Sequence, residues 1–527
     1  FQRSLQLFEE AAKLAASSGD VEREIDVQTK YVSALFKAGM YQESVDLGGK
    51  LVERKQLSLP HRMALSKAIG LSLSRLGEAE RAQEFLTIVL HLSQDEAEQL
   101  ELKQELVGLK ISAGHFQDAE KESIAQLEQA KKLNNHKLMG AIYTDLGIST
   151  FFQSRYDYAA ECFGEALKKY EELNEKTQVT NSMNNIGNAM SAKGDFTQAI
   201  EFWVRALKAS KEFGTVTQQA QIQNNLGIAH YNLKQYKKAK EFYSECRSIY
   251  ERTNSRIGLG FALTNLGEVM FAEGEYESAL ERWTEAKQIY VSIDNAQALV
   301  ETCLYLANVL HRLGDPNAMC AQIREVERIV VDRKLETFVS RANYFQGLCM
   351  FSKKNLPEAV ERLIEAREGF GADLSKDMFW ICTLKLAETL HAQEQSEEAI
   401  ALISEVLKSA EAKQFPTVVA EGNYLTGVIA MAKPQIVPDK AISFFKAGIE
   451  AIAKEPVSEI TWKLTYALAR EYYERGQRDR AKEFLLKTKL VVQFFLSHFR
   501  SPELRKSYLA VDQKQNMLDT IEAITKQ

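Results

Sequence analysis

Three asparagines stand 40 residues apart, Asn185, Asn225 and Asn265, each directly before an Ile-Gly or Leu-Gly pair. The words are Asn-Asn-Ile-Gly (184–187), Asn-Asn-Leu-Gly (224–227) and Thr-Asn-Leu-Gly (264–267). One unit earlier the same place holds Asp145, and one unit later Tyr305. Three residues on, the series reads Ile148, Asn188, Ile228, Glu268 and Asn308. A turn beyond come Phe151, Ser191, Tyr231, Phe271 and His311, with Arg312 following. Positions three and four apart share one helix face. A carboxamide carries donors and an acceptor together, so a row of them can pair with a peptide backbone without selecting its side chains. Aromatics beside the row can hold anchoring side chains. Helix interiors disfavour Asn, whose side chain competes for backbone bonds. Its recurrence at that cost points to a use.

Other chemistry is not signalled. The sequence has no GxxxxGK[ST], HExxH or GxSxG, and its eight histidines are isolated. No catalytic residue, cofactor or metal site is therefore expected. Lys30, Lys67, Arg341, Lys385 and Lys463 are too dispersed to form a clamp for a carboxylate. The net charge of −6 and the lack of Lys/Arg runs argue against nucleic acid as a partner. No apolar run approaches the roughly 20 residues of a membrane helix. The most apolar stretch, Leu490 to Leu496, is interrupted by Gln493. The six cysteines have no CxxC spacing, and Cys246 sits where neighbouring units carry Ala206 and Ala286. Reduced, buried thiols in a cytoplasmic protein are expected.

Helices must position these residues. Apolar residues recur at i, i+3, i+4 and i+7, and no stretch alternates as a strand would. Behind each Leu-Gly pair runs a second stripe: Gly194-Asp195-Phe196 with Ala199, Gln235-Tyr236 with Ala239, Gly274-Glu275-Tyr276 with Ala279. A self-similarity of 40 residues with two helical stripes per unit predicts a stacked helix-hairpin solenoid. The expected class is all-α, a right-handed superhelix of about twelve hairpins with a C-terminal capping helix. Four stretches are expected. Residues 1–135 are N-terminal repeats whose first helix pair is incomplete, and 136–334 are regular repeats. Residues 335–499 are degenerate repeats, with an insertion around Pro434 and Pro438, and 500–527 cap the array. Ser501-Pro502-Glu503 reads as a helix start, and Leu504, Tyr508, Val511, Leu518 and Ile521 as one stripe of a single helix. Turns are expected at Leu173-Asn174, Phe213-Gly214 and Thr253-Asn254.

The unit of Leu-Gly, then Gly-x-Tyr/Phe, then Ala, resembles the tetratricopeptide repeat over nearly the whole chain. Its 40-residue step is similar to the arrays of Pins-type adaptors, kinesin light chains and bacterial signalling proteins. The resemblance implies that the residue before each Leu-Gly pair faces an inner groove that grips an extended peptide. The expected function is a non-enzymatic scaffold or adaptor. Its partner-binding residues would be Asp145, Asn185, Asn188, Asn225, Tyr231, Asn265, Glu268, Phe271, Asn308 and Arg312. Under the competing structural reading the same amides bond neighbouring helices. The missing initial Met and the Ser-Pro-Glu-Leu-Arg tail suggest instead a sensor segment of a larger kinase, cyclase or STAND ATPase. A third reading is a homodimer formed through exposed terminal hairpins.

Overall fold

A computed structural model describes the chain except for residues 1, 18–19, 55, 373–375, 410, 436, 438–440 and 526–527. Pro438 of the expected insertion thus lies outside the described residues. Among those residues every regular element is a helix, and there is no strand. In the regular stretch a first helix such as His136–Phe152 folds back on a second, Tyr156–Glu172, each of 17 residues. With a three-residue turn after each helix, the pair completes one 40-residue step. Lys176–Lys193 with Phe196–Phe213, and Arg256–Ala272 with Tyr276–Ser292, repeat the pattern.

The turns keep the same register. Residues 114, 154, 194, 234, 274, 314, 354 and 394 all take positive φ, although only half of them are glycine. Ser154 and Lys234 accept this left-handed conformation with φ of 60° and 58°. Schellman-type bonds such as Arg155 N to Thr150 O, 3.0 Å, close the helix ends there. Asn174 and Asn254 end their helices left-handed, as their position suggests. Gly214 does not: its φ is −93° with ψ 172°, because the helix before it runs one residue longer, to Phe213, and the chain leaves extended.

Within a hairpin the glycine of the first helix receives a large side chain of the second. A Cβ on Gly187 would lie 2.5 Å from the Trp203 indole, and one on Gly147 2.5 Å from the Phe163 ring. Gly267 meets Trp283 and Gly427 meets Phe445 in the same way. Trp203 and Trp283 are almost fully buried. Their indole N–H groups donate to the first-helix carbonyls of Asn184 (3.2 Å) and Thr264 (3.1 Å). Ala199, Ala239 and Ala279 are wholly buried at the matching small positions.

The chain divides into two compact units, Phe1–Ala229 and His230–Gln527. The first stacks hairpins in sequence order. In the second, the last hairpin and the tail also pack against that unit's own early repeats. Trp283 and Leu306 share one core with Trp462, Phe495, Tyr508 and Ile521.

The tail is not the single helix expected. It forms Pro502–Ala510 and Lys514–Thr525, with Asp512 and Gln513 left-handed between them at φ 53°. Ser501 caps the first piece as its sequence suggests, its hydroxyl accepting from Leu504 N at 3.2 Å. The Glu277 carboxylate accepts the preceding N–H groups of Arg500 (2.6 Å) and Ser501 (3.1 Å). The Ser507 hydroxyl donates to Leu313 O at 2.6 Å, and Val511 fills the space beside Gly314. The tail thus buries Val492 and Phe495 of the last hairpin and also ties that hairpin to residues 274–314.

The expectation of six reduced thiols is corrected for one pair. Cys320 and Cys349, on adjacent helices with Cα atoms 5.6 Å apart, form a disulfide, while Cys162, Cys246, Cys303 and Cys382 are buried and not disulfide-bonded. Packing side by side on neighbouring helices brings two cysteines 29 positions apart into contact, which no sequence spacing announces. Thiol titration of aerobically purified protein under denaturing conditions is expected to count four reactive groups. A count of six would contradict the pairing.

Candidate partner-binding face

In the first unit the amide ladder connects successive first helices. Asn225 Nδ2 donates to Asn184 Oδ1 (3.1 Å) and to Asn188 Oδ1 (3.0 Å). Gln218 Nε2 donates to Asn181 Oδ1 at 2.6 Å on the same side of the pair. One repeat back, Gln104 Nε2 donates to Asp145 Oδ2 at 2.9 Å. Asn184, Asn185, Asn188 and Asn225 are all half-buried, so one edge of each faces solvent. Both Asn225 amide hydrogens are used in its two bonds, which leaves its carbonyl as an acceptor. The Nδ2 groups of Asn184 and Asn188 remain as donors.

Asp145 differs from these. It is buried, and burial lifts its carboxyl to about 7, against the Gln104 bond that pulls the other way. It faces the preceding first helix and has little surface for a partner.

The remaining candidates belong to the second unit and do not form one patch. The Tyr231 ring lies 5.6 Å from Tyr236, and burial followed by the nearby Glu268 raises its hydroxyl well above the usual tyrosine value. Asn265 is half-buried on the next first helix. Burial holds the Glu268 carboxyl above the ordinary carboxylate range, although a hydrogen bond with the Tyr305 hydroxyl opposes this. Phe271 packs between Tyr276 (5.2 Å) and Trp283 (5.7 Å), so its role is in the core. Asn308 and Arg312 line a separate cavity of about 190 Å3, enclosed partly by Asp512 and Lys514 of the tail.

Sequence reasoning missed this convergence. Lys385 and Lys463, too dispersed along the chain to suggest a clamp, both reach that cavity. Each already has an anion, Lys385 with Glu388 at 2.8 Å and Lys463 with Asp512 at 3.0 Å. A signal existed: Glu388 follows Asn308 by two 40-residue steps, and Lys385 continues the series of Asn185 and Asn225. Asp512 and Lys514 carry no repeat register and could not be found this way. Among the described residues no group of three or more His, Cys, Asp or Glu could hold a metal ion. No described helix is long and apolar enough to cross a membrane.

The hairpins define a class. The chain folds as a tetratricopeptide-type helical repeat array, and residues 178–252 match the tetratricopeptide repeat family. Among solved structures it is similar to the apo form of RapI, at 14% identity and a TM-score of 0.50, covering 66% of this chain and 98% of that one. It is also similar to the apo form of the quorum sensor NprR from B. thuringiensis, at 17% identity and a TM-score of 0.52, covering 65% and 97%. Likenesses at these identities speak to fold alone. No curated protein matches the sequence significantly.

Asp145 makes a pH-dependent contribution. Its folded carboxyl, near 7, lies above the ordinary 3.8. The stability of the protonated form is fully present below the ordinary value and is lost as pH rises through about 7. Asp145→Asn is expected to shrink the fall in urea midpoint between pH 5 and pH 8, an effect on the order of a few kcal/mol. An equal fall in both proteins would contradict the assignment.

Proposed function

We propose that the chain is a protein-interaction scaffold that captures an extended segment of a partner protein or peptide along its first helices. The reading rests on the amide ladder of the first unit. Asn225 bridges Asn184 and Asn188, which fixes all three side chains before any partner arrives. Two amide donors and one carbonyl acceptor are then left at half-open positions. An extended backbone presents carbonyl and N–H groups in alternation, so the ladder complements it without discriminating among side chains. Prior ordering matters because immobilising a side chain on binding costs about 0.5–1.5 kcal/mol.

Asn184, Asn188 and Asn225 are the residues to which the contact is assigned, with Asn185 beside the first two on the same helix. Asp145 is bonded by Gln104 of the preceding first helix and takes no part in the contact. Asn308 and Arg312 serve a different site, described below. The likeness to RapI and NprR is one of fold, so the choice of ligand class comes from the side chains.

The test is a comparison of the natural chain with Asn184→Ala/Asn188→Ala/Asn225→Ala. Partners captured from the source cells by the natural chain, and identified by mass spectrometry, are titrated against both proteins. The triple variant is expected to bind at least about tenfold more weakly, a loss of ~1.4 kcal/mol, with an unchanged helical circular dichroism spectrum. Equal affinity would overturn the assignment.

A further inference from the structure

The second unit contains a cavity lined by twelve polar or charged side chains and six apolar ones, in the place where a repeat array would be expected to be open. It measures about 190 Å3. Four cations line it (Arg312, Lys385, Lys463, Lys514), as do four anions (Glu388, Glu421, Glu459, Asp512). The His311 imidazole is held down to about 3, by burial first and then by Lys385, Arg312 and Lys463, with Asp512 opposing. It is therefore neutral at pH 7, and the wall as a whole carries no net charge. An anionic ligand such as a phosphate would find no excess of positive charge here.

The pairing within the wall is uneven. Lys385 bonds Glu388 at 2.8 Å, and Lys463 bonds Asp512 at 3.0 Å. Lys514 stands 3.9 Å from Glu459 and 4.1 Å from the Tyr508 ring centre. Glu459 is further satisfied by the Tyr276 hydroxyl (3.2 Å), the Tyr508 hydroxyl (2.9 Å) and the Trp462 indole N–H (2.6 Å). Two charges are left: the Arg312 guanidinium on the wall and the Glu421 carboxylate, which is exposed at the rim. Neither makes a hydrogen bond or an ion pair with another of the described residues. The Tyr344 and Tyr424 hydroxyls and the Asn308 amide share the wall with them, likewise without a hydrogen bond. Polar groups turned into a confined space without partners are costly unless something answers them.

From the one unmatched cation, the one unmatched anion and the size of the space, we propose that this cavity binds a free amino acid. Its carboxylate would pair with Arg312 and its ammonium with Glu421, while Tyr344, Tyr424 and Asn308 bond the remaining polar atoms. A planar guanidinium suits a carboxylate in two-point contact. The zwitterion adds no net charge to a wall that has none. The tail supplies part of the enclosure through Asp512 and Lys514, so ligand binding and tail docking stabilise the same state. This site is separate from the amide ladder of the first unit, and either assignment can fail without the other.

The experiment is thermal unfolding of the full chain in the presence of each common amino acid, followed by calorimetric titration of any that stabilises. At least one is expected to raise Tm by about 2 °C or more at saturation. Acetate and methylamine, which carry one charge each, are expected to leave Tm unchanged. Glu421→Gln, at the exposed rim where folding is not at stake, is expected to weaken the titrated affinity at least about tenfold, and Arg312→Met more. The proposal is overturned if no amino acid shifts Tm, if acetate alone stabilises as well, or if Glu421→Gln binds as tightly as the natural chain.

Discussion

Four of the hairpins depend on the contact between a glycine in the first helix and a large side chain in the second. Gly187 with Trp203, Gly267 with Trp283, Gly147 with Phe163 and Gly427 with Phe445 are four instances of one device. The missing Cβ lets the ring lie directly on the first-helix backbone, and the indole N–H can then reach a carbonyl there. Such a contact sets both the separation and the rotation of the two helices, because ridge and groove can interlock in only a few ways. Rotation decides which residues of the first helix face away from the second. The asparagine ladder is thus aimed by the ring behind it: Asn184, whose carbonyl receives the Trp203 proton, also accepts through its side chain from Asn225.

The two units use this geometry differently. In the first, the ladder residues bond each other sideways and keep an edge toward solvent. In the second, the chain's own tail and last hairpin return to the early repeats, and Glu459 is where they meet. A buried carboxylate is tolerated only when donors surround it. Tyr276 from an early repeat, Trp462 from the last first-helix, and Tyr508 and Lys514 from the tail all converge on it. The same closure encloses a cavity lined by as many anions as cations.

Much of the fold was legible because it repeats. A left-handed residue every 40 positions, Asn at helix ends, and alternating small and large residues each leave a mark that recurs and can be counted. Gly214 was misleading because one extra helical residue moved the break without changing the residue type that usually marks it. Of the ladder, Asn188 and Asn225 stand in the register that the sequence marks, whereas the bonds that join Asn225 to Asn184 and Asn188 left no sign there. Gln104 stands 41 positions before Asp145, the spacing that also separates Asn184 from Asn225, but no Asn-Asn word marks its place. Phe271 carried the right register for an anchor, but the ring stack with Tyr276 and Trp283 claims it for the core. The cavity was the least legible part. Arg312, Lys463 and Asp512 are far apart in sequence, and only the returning tail brings them together. The break at Asp512 follows the same logic: a continuous stripe suggests one helix, whereas the ion pair to Lys463 forms where the chain turns.

The glycine–ring contact is tested most directly by a double-mutant cycle on Gly267 and Trp283, read as unfolding free energy in denaturant. Gly267→Ala should destabilise the natural chain, because its new Cβ meets the indole, and should cost much less in a Trp283→Leu background. A coupling of about 1 kcal/mol or more is the predicted result for residues in direct contact. Costs that simply add would mean that the ring does not set the spacing of the hairpin, and the account of the ladder built upon it would be contradicted.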